Sequence, residues 1–286
     1  MDASFKIFNA TEIWKRETSL PSIPTFSQKL DNILGTDGIP LGSLTELLGL
    51  PGTGKTQICL QLCAAVQIPK ALGGLNAQAL YIDTNTNFVP NRFREILSAT
   101  LSKCEMLLDG QFKVSEEEAL KNLHYVGAFG LEKFCAFMYQ LPKFLAENSN
   151  IRLIVIDSIA FPFKDAITVK QRTGLLFRQM AELQRLAVQR QIAVVLTNEM
   201  STRVGLSSGA VVGALGDAWA HRCNTRVLLS APDDPAGDRL ALLLKSNIAP
   251  EAVAPFKVIT SFTDLYVQAI NHGILCLFDL HFDDDG

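Results

Sequence analysis

Between residues 43 and 198, five short apolar, β-favouring runs alternate with segments of helical length, and this alternation restricts the possible folds most. The runs are SLTELLG (43–49), QALYID (78–83), LHYVGA (123–128), IRLIVIDS (151–158) and IAVVLTN (192–198). Helical patterns stand between them near 54–67, 91–105, 131–147 and 168–190, and in the last Leu176, Met180, Leu183 and Ala187 recur on one helical face. Strands that are apolar throughout need cover on both sides, and parallel strands need crossovers long enough to hold a helix. The pattern therefore predicts an α/β fold: a mostly parallel twisted sheet flanked by helices. Farther on, TRVLLS (225–230), DRLALLLKS (238–246) and PFKVIT (255–260), joined by the turn-forming APDDPAGD (231–238), predict C-terminal antiparallel strands that extend the sheet.

Pro21 and Pro24 in SLPSIPT disfavour helix and set a boundary, which divides the chain into an N-terminal arm or linker, 1–24, and a core, 25–286. A composition of 48% hydrophobic and 19% charged residues supports a sizeable buried core and excludes disorder as the general state. The formal charge of −3 argues against a surface that wraps duplex nucleic acid by electrostatics alone, but leaves room for a local basic groove. No stretch reaches about 18 uninterrupted apolar residues, so no membrane partner is expected, and MDASFKIFNATEIWKRE lacks the apolar run of a leader. Cys59, Cys63, Cys104, Cys135, Cys223 and Cys276 form no Cys-x-x-Cys pair, and the histidines do not complete a zinc spacing. They read as the thiols of a reduced, intracellular protein.

The chemistry begins at GLPGTGKT: Gly49, Leu50, Pro51, Gly52, Thr53, Gly54, Lys55 and Thr56 match the Walker A pattern between a predicted strand and a predicted helix. Glycines let the backbone curl until several N–H groups converge on phosphate oxygens, and the helix N-terminus adds partial positive charge. Lys55 would reach the outer phosphates of ATP, and Thr56 would ligate Mg²⁺. In LIVID (153–157) a buried strand runs into Asp157, a Walker B carboxylate that would hold the same metal through water.

LTELLGLPGTGKTQICLQLCAAVQIP, including Gln57, resembles the core of the eukaryotic RecA-type recombinases, and LYIDTNTNFVPNRF, RLIVIDSIAFPF, AVVLTNEM and ALGDAWAHRCNTRVLL follow in the family's order. VQIPKALGG and DSIAFPF look most like its C-type paralogue, a subunit of homologous-recombination repair complexes. The resemblance spans roughly residues 25–260 and implies a RecA-like P-loop NTPase core that binds ATP and Mg²⁺ and acts in the nucleus in double-strand break repair. It also implies work within a hetero-oligomer of paralogues on single-stranded or branched DNA, in a mitotic or meiotic setting. Three departures qualify this. Asn85 stands where the family usually has a catalytic glutamate; an amide cannot accept a proton as a carboxylate does, and such a base is worth about 10²–10⁴-fold, so hydrolysis should be slow. Glu199 replaces a glutamine that relays nucleotide state, and its charge would repel a phosphate unless a cation intervenes. The family's helical N-terminal domain has no counterpart in the short arm. Slow hydrolysis leaves two alternatives open, a non-hydrolysing scaffold subunit and a self-sufficient strand-exchange recombinase.

By the same resemblance, Arg92 lies near the adenine, and two DNA-facing loops fall near 161–173, with Lys164, Lys170 and Arg172, and near 200–215, with Arg203. His221 matches a histidine close to the neighbouring subunit's nucleotide. KIFNATEIW resembles the linker that adds a strand to an adjacent subunit, with Ile7 and Ala10 as the inserted side chains and Phe8 between them.

Overall fold

The computed structural model describes residues 7–109, 114–164, 169–202, 211–215, 217–232 and 237–258. Along the chain run α1 (Ala10–Thr18), β1 (Ser22–Ile23), α2 (Gln28–Leu34), β2 (Ile39–Pro40), β3 (Leu44–Gly49), α3 (Lys55–Ala65) and β4 (Gln78–Asp83). They are followed by α4 (Pro90–Leu107), α5 (Glu116–Leu120), β5 (Leu123–Gly127), α6 (Leu131–Glu147), β6 (Ile151–Asp157), α7 (Val169–Arg190) and β7 (Ala193–Thr202). The last are β8 (Val211–Gly213), α8 (Asp217–Ala220), β9 (Thr225–Ser230), β10 (Arg239–Lys245) and β11 (Val253–Phe256). The main sheet has the order β11-β10-β9-β3-β7-β6-β4-β5, with β8 paired to β7. From β9 to β5 the pairing is parallel, and β10 and β11 extend it antiparallel, as the sequence pattern predicts.

The period-two pleat sorts the strand residues between two cores. Val155 of β6 and Val195 of β7 face a cluster built with α2, α3 and α4, whereas Ile154, Ile156, Val194 and Leu196 face one built with α6 and α7. In α6, Phe134, Met138, Leu141 and Leu145 form the buried stripe of an amphipathic helix. Helix α3 differs, since Ile58 to Leu60 and Leu62 to Ala65 are all buried, so a helix nearly encircled by protein carries the phosphate loop. Fully burying one leucine there is worth about 1.5–3 kcal/mol.

The arm departs from expectation. Ala10 is not in an extended strand but opens α1, because Asn9 and Glu12 form a capping box: Asn9 Oδ1 accepts the Glu12 N–H and Glu12 Oε2 accepts the Asn9 N–H, each at 2.9 Å. Only Ile7 and Phe8 precede it within the described part of the arm, both exposed, and no residue of α1 is buried. The packed body starts before residue 25, with Ile23 fully buried. The last strand also starts earlier than the expected 255–260, at Val253; Ile259 and Thr260 lie outside the described residues. Among the described residues no helix is long and apolar enough to cross a membrane.

Candidate nucleotide-binding site

The phosphate loop joins the end of β3 to the start of α3, and close packing makes its glycines necessary. A Cβ on Gly49 would lie 2.5 Å from Thr53 Oγ1 and 2.7 Å from the Leu229 carbonyl oxygen. Gly54, at the N-cap of α3, has φ +103° and has Val258 Cγ2 2.9 Å from where its Cβ would be. Thr53 closes the turn by donating its hydroxyl to the Leu50 carbonyl at 2.9 Å. No side chain caps α3 and no acidic residue sits in its first turn, so the positive end of the helix faces the loop. Lys55 Nζ folds over the loop, donating to the carbonyls of Gly49 (2.8 Å) and Leu50 (2.9 Å). Burial pulls its pKa down, while Asp157 and Glu199 act to keep it charged.

Asp157, at the end of β6, is 1% exposed and collects four donors. Its Oδ2 accepts from the hydroxyls of Thr56 and Tyr81, both at 2.7 Å; its Oδ1 accepts from Thr197 Oγ1 at 2.6 Å and Asn87 Nδ2 at 3.1 Å. These side chains reach it from α3, β4, β7 and the loop after β4, converging at the carboxyl ends of the parallel strands, where such sheets bind ligands. Burial, with Asp157 adjacent, drives the Tyr81 phenol far above its ordinary pKa, so it stays a donor. The neighbouring Ser158 Oγ is buried without a hydrogen-bond partner.

The loop after β4 is shaped by Asp83, whose Oδ1 accepts the N–H groups of Asn85 (3.0 Å) and Asn87 (3.1 Å) and whose Oδ2 accepts that of Phe88 (3.1 Å). This geometry brings Asn87, not Asn85, onto Asp157; Asn85 Nδ2 reaches only Asn87 Oδ1, at 3.5 Å. Sequence reasoning missed Tyr81, Asn87 and Thr197. The available signal was a polar residue near the carboxyl end of each predicted parallel strand. Arg92 and Gln57 do meet, Nε donating to Oε1 at 2.8 Å, while Arg92 Nη1 pairs with Glu95.

Glu199 stands beside Gly49 in the parallel register of β3 and β7, and the cation needed to offset its charge is present: Lys164 Nζ lies 2.5 Å from Glu199 Oε2. Lys164, expected on a DNA-facing loop, is thus engaged with a carboxylate and also sits over the Phe161 ring. The expected loop 161–173 is only partly a loop, since residues 161–163 form a 3-10 turn and α7 already includes Lys170 and the half-buried Arg172. The apolar periodicity that predicted a helix from 168 outweighed the loop reading. Of the second loop, β7 extends through Thr202 and β8 occupies Val211–Gly213; Arg203 lies outside the described residues. His221 is exposed rather than in the core. Beneath the loop strand, fully buried Glu46 accepts from Asn198 Nδ2 (2.7 Å), Trp219 Nε1 (2.6 Å) and Arg226 Nε (2.5 Å), tying β3 to β7, α8 and β9.

The residues fit a nucleotide with a hard divalent cation. The loop leaves no room for a Cβ at Gly49, a positive helix end and an ammonium share the cradle, and a hydroxyl and a carboxylate supply oxygen donors of the kind magnesium takes. Among the described residues no three His, Cys, Asp or Glu side chains gather as a metal site, and Cys59 and Cys63 are buried thiols whose pKa values burial raises.

The Rad51 family model matches residues 15–263. The DNA repair protein RAD51 homolog 3 of Cricetulus griseus is 35% identical over 92% of this chain and 74% of its own length. The protein of the same name from Dictyostelium discoideum is 30% identical over 83% of this chain and 64% of its own length. The DNA repair and recombination protein RadA of Metallosphaera sedula is 34% identical over 90% of this chain and 76% of its own length. With a cradle, a carboxylate hub and a sheet of this kind under that match, the chain belongs to the Rad51 family.

Proposed function

We propose that this chain is an ATP-binding RecA-type recombinase paralogue that acts in the nucleus, in repair of double-strand breaks by homologous recombination. It works as one subunit of a hetero-oligomer with other paralogues on single-stranded or branched DNA. The observation that carries the reading is the 2.7 Å contact between Thr56 and Asp157, which joins the two halves of an oxygen-donor site at the mouth of the phosphate loop. Similarity to proteins named for DNA repair and recombination supports the biological role.

Bound Mg–ATP supplies a polarised terminal phosphate. The loop amides and Lys55 would orient it, and Thr56, with Asp157 acting through water, would hold the metal. Tyr81 and Thr197 fix the carboxylate between them, so the site is organised before ligand arrives. The loop after β4 offers amides, Asn85 and Asn87, that orient water but do not take its proton, which supports slow hydrolysis. This favours, as a second reading, a subunit that holds nucleotide for structural reasons and never turns it over.

Calorimetry with Mg–ATP tests the first reading. Lys55→Ala removes the only lysine of the loop and should largely abolish binding; equal affinity in both proteins would overturn it. Single-turnover hydrolysis with purified paralogues present separates slow turnover from none.

A further inference from the structure

Resting on the nucleotide-binding reading above, we propose that Arg239 is a further nucleotide-binding residue, whose guanidinium takes the inner, α-phosphate end of a bound nucleoside di- or triphosphate. It lies outside the phosphate-loop pattern, 185 residues after Gly54 in the chain, and the sheet register carries it there. Gly49, where the loop starts, lies beside Leu229 of β9, and Leu229 lies opposite Ala241 of β10. Because β10 runs antiparallel to β9, its first residue, Arg239, comes to the sheet end at which β3 opens into the loop. Arg239 also pairs with Phe256 of β11, so the two side chains share a face, and Phe256 belongs to the core on the α3 side. Both reach the loop. From the point where a Cβ on Gly54 would lie, Phe256 Cε2 is 3.6 Å away and Arg239 Cδ 3.9 Å.

The arginine is not offset where it stands. Its Nε is buried and has no hydrogen-bond partner among the described residues, and the carboxylate next to it in the chain, Asp238, is paired with Lys257 at 3.3 Å. Leaving a buried donor of a cation unpaired is costly, and an anion that binds beside it removes that cost. The position selects the part of the anion. Lys55 folds back over the Gly49 and Leu50 carbonyls and would serve the outer phosphates. Gly54 stands at the other end of the loop, at the N-cap of α3, where the amides of such loops cradle the inner phosphates. A planar guanidinium can bind two phosphate oxygens at once, as a point-like ammonium does not. Two cations thus flank the loop, one for each end of the phosphate chain.

Calorimetry with Mg–ADP and Mg–ATP, set beside thermal melting without nucleotide, tests this. Arg239→Met removes the cation but keeps most of the side chain's length. It should weaken both nucleotides by a similar factor, roughly 10- to 100-fold, the worth of a hydrogen bond to a charged group. Because it also removes the unpaired donor, it should leave the nucleotide-free melting temperature unchanged or higher, and Arg239→Lys should keep part of the affinity. Unchanged affinity in the methionine variant overturns the proposal, and so does a loss confined to ATP, which would put Arg239 at the outermost phosphate. A nucleotide-free melting temperature lowered in both Arg239→Met and Arg239→Gln also overturns it, by making the arginine a structural residue. Wild-type protein that binds neither nucleotide would fail the nucleotide-binding reading and this proposal with it; wild-type protein that binds both, beside an unaffected variant, fails this proposal alone.

Discussion

At the scale of single residues, the site's properties follow from where charge is buried and what donates to it. Asp157 stays useful because four donors surround it, whereas Asn85 lacks a proton-accepting oxygen and makes no direct hydrogen bond to Asp157. Asn85→Glu should therefore raise ATP hydrolysis, by about 10-fold or more toward the 10²–10⁴-fold range of a general base, in a phosphate-release assay. No change with intact nucleotide binding would place the catalytic carboxylate elsewhere. A second buried carboxylate predicts a pH effect. Burial pushes Asp31 up to about 6, against the hydrogen bonds it accepts from Thr25 and with Asp37 nearby. The folded pKa lies above the unfolded value of 3.8, so this contribution to stability is present in full below about pH 4 and lost as pH rises through 6. Asp31→Asn keeps an oxygen acceptor for Thr25 and should stabilise the protein by about 1–3 kcal/mol at pH 7, with little effect at pH 4, in urea titrations at both values.

At the scale of elements, the sequence was most informative where one local rule decided the outcome. Runs 78–83 and 225–230 coincide with β4 and β9, and 131–147 with α6, because apolar period and length agree there. Errors arose where two rules competed. NATE reads as a linker by resemblance but folds as a capped helix start, since the reciprocal Asn9–Glu12 bonds satisfy two otherwise orphan amides. Pro255 looked like a strand's first residue but is its third, which an edge strand such as β11 tolerates because the missing N–H need face no partner. The Walker residues were legible because they are contiguous; Tyr81 and Thr197 were not, being 76 and 40 residues from Asp157. The arm also yields a prediction. Ile7 is 93% exposed and α1 buries nothing, so Ile7→Glu should leave the melting temperature and ATP binding unchanged. If Ile7 docks in a partner's apolar pocket, the same change should weaken that complex roughly a thousandfold, a loss of about 4 kcal/mol, in a pull-down titration. Normal capture by both Ile7→Glu and Ala10→Glu would show that the arm is not an interface.

At the scale of the whole molecule, a net charge of −3 and the pairing to Glu199 of Lys164, the lysine expected on a DNA loop, set the expected behaviour toward nucleic acid. The isolated chain should bind single-stranded DNA weakly, with a log–log salt slope between about −1 and −3 by fluorescence anisotropy, and more tightly within the proposed hetero-oligomer. Nanomolar, salt-independent binding by the chain alone would contradict this. The order of the sheet has a consequence for biosynthesis. Strand β3, which ends in the phosphate loop, lies between β7 and β9, and its first residue, Leu44, is held by Asn224, 180 residues away. At roughly 5–20 residues per second, a ribosome needs on the order of 10–40 s to supply that partner after β3 has been made. For most of that interval a strand that the finished sheet buries on both faces has neither neighbour in place, and β9 is missing until its end, so the nascent chain presents it as a substrate for chaperones, and a ribosome stalled before β9 releases a product with an open seam beside the phosphate loop.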